Sequence, residues 1–186
     1  MTLLGILDCG DRVLLAGDTR MLSQDSGIHI AETVDKIWHF TPNVVWGYTG
    51  DSGVGDEFKG WLEAQSFQSW YALGEAAKVH LATLNGRAQK LGHLAEAPRQ
   101  HTACLIAGWI SGEKHVGVIT ADGGFPAIPR TPAFLGSGMP FAAVSWEVVK
   151  ELTPDGDVEA AFRVIMETTA AHVPMLGPVA YLEAHP

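Results

Sequence analysis

The chain opens with MTLLGILDCGDRVLLAGDTR, residues 1–20, and the pattern inside that stretch decides what kind of sheet the rest must build on. Residues 3–7 are apolar and rich in strand formers, Asp8-Cys9-Gly10-Asp11 is a turn signal, and residues 12–16 resume the strand, so the chain begins as a β-hairpin. The return strand ends at Gly17-Asp18, and a threonine directly follows the first methionine. A hairpin brings those two places side by side, a hydroxyl at one and a carboxylate at the other.

Outward from the hairpin, residues 21–30 are polar and turn-prone. Ile37-Trp38-His39-Phe40 and Val44-Val45-Trp46 flank Thr41-Pro42-Asn43 as a second hairpin, which predicts four strands before any helix. The glycine-rich exit GYTGDSG, residues 47–53, leads into a helix over 54–64 with Asp51 or Ser52 as its cap. Leu73, Ala76, Ala77, His80, Leu81 and Leu84 recur at helical spacing, predicting a longer helix over 70–91 that ends near Gly92. Strands return at 101–108 and 114–121 around Ser111-Gly112-Glu113, and at 132–136 before Gly136-Ser137-Gly138. Residues 141–151 and 158–171 read as two more helices, broken and capped by Pro154-Asp155-Gly156-Asp157, and residues 179–182 as a closing strand. No repeat, linker or low-complexity stretch divides the 186 residues, so one domain over 1–186 is expected. Strands and helix pairs in this order describe an α+β architecture with helices packed outside antiparallel sheets.

Composition narrows the partners. Twelve Lys and Arg against 21 Asp and Glu give a net charge of −9, which repels phosphate backbones and anionic lipid and argues against nucleic acid or a membrane surface. With 47% hydrophobic and 18% charged residues, part of the surface is expected to be covered by copies of the chain. Cys9 and Cys104 form no C-x-x-C pair and lie in segments read as strands, which points to reduced thiols in the cytoplasm. No window approaches the roughly eighteen apolar residues of a membrane span, and the start lacks a signal peptide's basic segment and apolar run.

Chemistry gathers at Thr2. A threonine hydroxyl is a poor nucleophile until a base takes its proton, and an N-terminal threonine carries that base in its own α-amine, with a reference pKa of about 7.7 to 8.0. Thr2 gains such an amine only when Met1 is removed. A nearby lysine disfavours protonation of the amine by like-charge repulsion, and Lys36 is placed for this. A buried ammonium needs a counter-ion, for which Asp18 at the end of the return strand is suited. The oxyanion of acyl transfer needs N–H donors, which the loop at residues 47–50 can provide. Taken singly, Asp18 is an ordinary turn residue and Lys36 a solvated strand residue; their combination with Thr2 is what points to catalysis.

These stretches, LLAGDTR with Asp18, TVDKIWHF with Lys36, VVWGYTGDSG with Gly50 and FLGSGMPFA with Ser137, follow Thr2 in an order that resembles the β-type subunits of the proteasome and the HslV peptidase. The resemblance runs over essentially the whole chain. It implies the four-layer αββα sandwich of N-terminal-nucleophile hydrolases, two antiparallel sheets flanked by helices, and a threonine peptidase that cleaves polypeptides without metal or other cofactor. It further implies Thr2 as nucleophile, Lys36 tuning its amine, Asp18 orienting Lys36, Gly50 giving the oxyanion N–H, and Ser137 hydrogen-bonded to the amine. Tyr48 is then the floor of the substrate pocket and Met21 a wall, favouring modest side chains. A homo-oligomeric ring and an ATPase or unfoldase partner are also implied.

The sequence departs from the family in three places. Eighteen positions separate Asp18 from Lys36, two more than the family spacing, which places a small insertion at 21–30. Leu3 stands where many relatives have a second threonine, on the opposite strand face. His172 and Met175 occupy the places of a supporting aspartate and serine in proteasome subunits. Two other readings stay open: an amide hydrolase of the same fold acting on a small molecule, and a structural ring subunit without catalysis. Ser137, with glycines as immediate neighbours, lacks the G-x-S-x-G of a nucleophile elbow, and the eight histidines show no H-E-x-x-H. The six tryptophans are spread through strands and helix ends as core or subunit-contact residues.

Overall fold

A computed structural model describes residues 2–22, 29–31, 34–91, 102–120, 125–128, 132–152 and 156–186. The opening hairpin is β1 (Leu3–Asp8) and β2 (Val13–Asp18), and the second is β5 (Ile37–Thr41) and β6 (Val44–Thr49). Between them lie two short strands, β3 (Met21–Leu22) and β4 (His29–Ala31), so among the described residues six strands and not four precede the first helix. That short pair is antiparallel with an irregular register, and polar composition alone gave no periodic signal for it. The expected insertion at 21–30 falls largely outside the described residues.

Helices α1 (Ser52–Glu63) and α2 (Trp70–Lys90) come next, then β7 (Ala103–Ile110), β8 (Glu113–Ile119) and β9 (Ala133–Gly136), helices α3 (Met139–Leu152) and α4 (Val158–His172), and β10 (Val179–Ala184). The caps sit where the sequence placed them. Asp51 accepts the Val54 N–H to start α1, and Asp157 accepts the Glu159 and Ala160 N–H groups to start α4. Ser69 does the same for α2 through Ala72. Gly92 and His101, read as a helix end and a strand start, lie outside the described residues.

Two four-stranded antiparallel sheets result, ordered β10-β2-β1-β9 and β5-β6-β7-β8. Strand alternation explains the layering. Leu4, Ile6, Val13 and Leu15 point into a core shared with Val45, Leu105 and Ala107 of the other sheet. Leu3, Leu7, Leu14 and Ala16 point the other way, onto Phe162, Ile165 and Met166 of α4. Val44, Trp46, Cys104 and Ile106 meet Phe58 of α1 and Leu73, Ala77 and Leu81 of α2. Helix, sheet, sheet and helix are therefore stacked as expected, and Leu3 does lie on the face away from the inter-sheet core. Cys104 is fully buried in β7 as expected, whereas Cys9, also expected in a strand, lies in the turn after β1; both are free thiols.

Among the described residues, two histidines are packed against aromatic rings and have no hydrogen-bond partner at a buried Nε2. His80 stacks on Trp61 at 4.5 Å, and His115 lies between Trp70 and Phe125. Burial lowers the pKa of both; Glu57 and Arg87 act in opposite senses on His80, and Glu113 partly offsets the effect at His115. Below about pH 6.5 the unfolded chain therefore binds protons that the native chain does not, and stability declines as the pH is lowered until the native pKa values are reached. Thermal melts from pH 7.5 to 5 are expected to show that loss, and replacing both rings by phenylalanine to flatten it.

Candidate active site

The site is assembled where β1, β2, β9 and the lead into β5 converge. β1 pairs with β9 in a register that sets Leu3 opposite Gly136, so the turn after β9 falls beside Thr2. The Thr2 N–H donates to Ser137 Oγ at 3.0 Å, the Ser137 hydroxyl donates to the Thr2 carbonyl at 3.2 Å, and the Gly138 N–H donates to that carbonyl at 3.3 Å. Gly136 makes this approach possible: it has φ +95°, and a Cβ there would lie 2.3 Å from the Thr2 carbonyl oxygen. Sequence reasoning marked Gly136 only as the edge of a turn; the signal was its place directly before Ser137.

Asp18, with 0% exposure, uses both carboxylate oxygens. Oδ1 accepts the Leu3 N–H at 2.7 Å, while Oδ2 accepts from Lys36 Nζ at 2.9 Å and from the Arg20 N–H at 3.3 Å. One carboxylate thus ties the backbone beside Thr2 to the lysine, and Arg20 joins as a backbone donor that sequence reasoning did not single out. Lys36 is 7% exposed. Burial pushes its pKa down, and the Asp18 charge and hydrogen bond only partly offset this. The Asp18–Lys36 link forms despite the longer interval between them in sequence.

Of the remaining expected residues, Tyr48 lies in β6 and Gly50 directly after it. The Lys36 carbonyl accepts the Tyr48 N–H at 3.3 Å, and a Cβ on Gly136 would come within 3.2 Å of Thr49 Oγ1 as well as reaching Thr2. Residues 47–49 are not a loop, as the glycine content suggested: they pair with Leu105, Cys104 and Ala103 of β7 as strand. Gly50 alone turns the chain, with φ +116°. Tyr48 is buried toward α1, stacked on Trp38 at 5.5 Å, and its hydroxyl donates to Asp56 Oδ1 at 3.1 Å. Burial, then the Asp56 charge, raises its pKa. Met21 is in β3, and its side chain lies outside what is described.

His172 closes α4 and Met175 lies in the turn after it. His172 is exposed with Nδ1 2.9 Å from the Thr168 carbonyl of its own helix, and Met175 holds a left-handed φ of +73° in the turn after α4. A thioether cannot relay a proton, so Met175 is no chemical substitute for a serine. Among the described residues no group of three or more His, Cys, Asp or Glu side chains is arranged to hold a metal, and no helix is long and apolar enough to cross a membrane.

A family model described as proteasome subunit matches residues 1–172. Among solved structures, HslV from Trypanosoma brucei superposes with a TM-score of 0.68 at 17% identity, covering 100% of both chains. Thiobacillus denitrificans BPH, alone and in complex with epoxomicin, superposes with a TM-score of 0.69 at 18% identity, covering 100% of this chain and 98% of that one. No curated protein matches by sequence.

The buried pair sets a clear expectation. Asp18→Asn removes the carboxylate charge beside the Lys36 ammonium and should cost about 3–5 kcal/mol in urea unfolding near neutral pH, with Asp18→Asn/Lys36→Met recovering most of it. Because burial lowers the Lys36 pKa, the unfolded chain binds more protons between the native value and about 10.4, so stability rises with pH across that window, and more steeply in Asp18→Asn.

Proposed function

The chain belongs to the proteasome subunit family, and from that premise we propose that it is a threonine peptidase whose nucleophile is Thr2, exposed as the first residue by removal of Met1. The observation that carries this reading is the Asp18 carboxylate, which grips the Leu3 N–H next to Thr2 with one oxygen and Lys36 with the other. A surface turn residue and a solvated lysine have no reason to be buried together at that spot.

In this reading the α-amine of Thr2 takes the proton of its own hydroxyl, and Oγ1 attacks the scissile carbonyl. The Gly50 N–H faces the oxyanion. The amine then passes its proton to the leaving nitrogen as the C–N bond breaks, leaving an acyl ester on Thr2. Water, deprotonated by the same amine, hydrolyses the ester and restores the hydroxyl. Lys36 lowers the amine's proton affinity through its charge, Asp18 holds Lys36 in place, and Ser137 fixes the nitrogen. With Met1 attached the nitrogen is an amide and none of this can start. Tyr48 and Met21 close the pocket around a modest side chain.

Assembly into a homo-oligomeric ring fits this family and is supported by α3, where Phe141, Val144, Val148 and Leu152 stand 50% to 76% exposed along one stripe. A polypeptide substrate delivered by an ATPase or unfoldase, in the reducing cytoplasm that two free cysteines suit, completes the proposal.

Intact mass of the purified protein should lack Met1, and epoxomicin should add to Thr2 of the parent but not to Thr2→Ala. Thr2→Ala and Lys36→Ala should each abolish hydrolysis of a fluorogenic peptide while sedimentation shows assembly retained; hydrolysis surviving both substitutions would move the site elsewhere. Peptide and acyl-amide libraries separate this activity from that of a small-molecule hydrolase. The parent's kcat/KM should rise with pH through an amine titrating below about 7.7.

A further inference from the structure

A second buried polar cluster packs against Gly50. Thr102, just before β7, and Asn85, on α2, are both almost completely buried. The Asn85 amide is matched to the Thr102 backbone, accepting its N–H at 2.9 Å and donating to its carbonyl at 3.1 Å. The Thr102 hydroxyl accepts the Asp51 N–H at 3.1 Å and donates to the Asp51 carbonyl at 3.3 Å. Asp51 in turn caps α1 through Val54. The backbone of Gly50 is pressed onto Thr102 so closely that a Cβ there would stand 2.6 Å from Thr102 Cα and 2.9 Å from its Oγ1.

We propose that Thr102, held by Asn85, is a positioning residue that aims the Gly50 N–H at the reacting carbonyl. The inference rests on the threonine-peptidase reading above and deepens it. Gly50 is fixed on both flanks: Thr49 is in register with Ala103 on β7, and Asp51 is bound to the Thr102 hydroxyl. Among the described residues no acceptor takes the Gly50 N–H, which leaves it for a ligand. A lone turn at φ +116° has wide freedom, since glycine lacks the Cβ that would restrict it. An oxyanion donor is effective only when it is aimed before the reaction, and a misplacement of about 1 Å costs on the order of 100-fold. The clamp removes that freedom with two hydrogen bonds to one hydroxyl, which itself cannot shift because Asn85 grips the backbone that carries it.

The test compares Thr102→Val, which deletes the hydroxyl at constant shape, with Thr102→Ser, which keeps it. Two probes are used on the assembled full chain: a fluorogenic peptide amide, whose hydrolysis passes through an oxyanion, and a peptide vinyl sulfone, whose addition to Thr2 Oγ1 forms a C–O bond without one. Thr102→Val should lower kcat by about 10- to 100-fold with KM and the vinyl sulfone labelling rate within about twofold of the parent, and Thr102→Ser should return kcat to within about threefold. Unchanged kcat in Thr102→Val overturns the proposal, as does an equal loss of labelling and hydrolysis, which marks a general structural role. A parent that neither hydrolyses nor labels overturns the peptidase reading and this inference together, whereas an active parent with an indifferent Thr102 overturns this inference alone. Should Thr102→Val not assemble, Thr102→Ala removes the same hydroxyl with less bulk and is judged by the same criteria.

Discussion

The Asp18 carboxylate is the point on which the arrangement turns. It is sealed from water, yet three donors from three parts of the chain converge on it: the backbone beside Thr2, the backbone of Arg20, and Lys36 Nζ. Placing a charge there is costly, and the attraction of a single ammonium does not by itself repay the desolvation of both ions. The additional backbone bonds help to satisfy the carboxylate, and the one from Leu3 is available because β1 and β2 pair with Leu4 opposite Gly17. Hairpin register and ion pair therefore define one another. If the register slips by one residue, every core side chain of the strand changes face and the carboxylate loses its donors.

Such a pair is weak support for stability and better understood by what it does to Lys36. The lysine's pKa is lowered by burial against an opposing carboxylate. A hydrophobic pair would fill this space with less desolvation, but it would carry no charge. The same holds for Gly136 and Gly50. Both adopt positive φ and both let backbone approach backbone, Gly136 at Thr2 and Gly50 at Thr102. A close approach of this kind also occurs away from the site, at Gly108 with φ +138°, where a Cβ would lie 2.0 Å from the Asn43 carbonyl oxygen.

How much of this was legible in sequence depends on the range of the interaction. The hairpins, the caps at Asp51 and Asp157, and the helices follow from local pattern, and they stand in the structure within a few residues of where the pattern placed them. The layer order needed more than periodicity, because an alternating strand does not say which face meets a helix and which a second sheet; resemblance to a known fold supplied that. The strand character of residues 47–49 was hidden by Gly47, which reads as a breaker but lies in the sheet because the Lys36 carbonyl and Ile37 occupy the space a Cβ would take. Thr102 and Asn85 gave no local signal at all. Their partnership spans α2 and β7, and an asparagine inside a helix looks like a surface residue until the backbone opposite it is known.

Ser137 has a related logic. Its hydroxyl accepts from the Thr2 nitrogen and donates to the Thr2 carbonyl, so it holds the residue by the two backbone groups that flank Cα. Neither bond involves the threonine side chain, which leaves Oγ1 free of this contact for chemistry. The accepting lone pair also suits either state of the nitrogen, an amide N–H when Met1 is attached or an amine N–H when it is not. The position of Thr2 can thus be fixed by the fold before any processing takes place. Removing one residue then changes the basicity of the nitrogen by converting an amide to an amine, with no new geometry required of Ser137, Asp18 or Lys36. Under the proposed function, Thr2 stays inert until Met1 is removed, and the sheet that carries it has no need to rearrange when that happens.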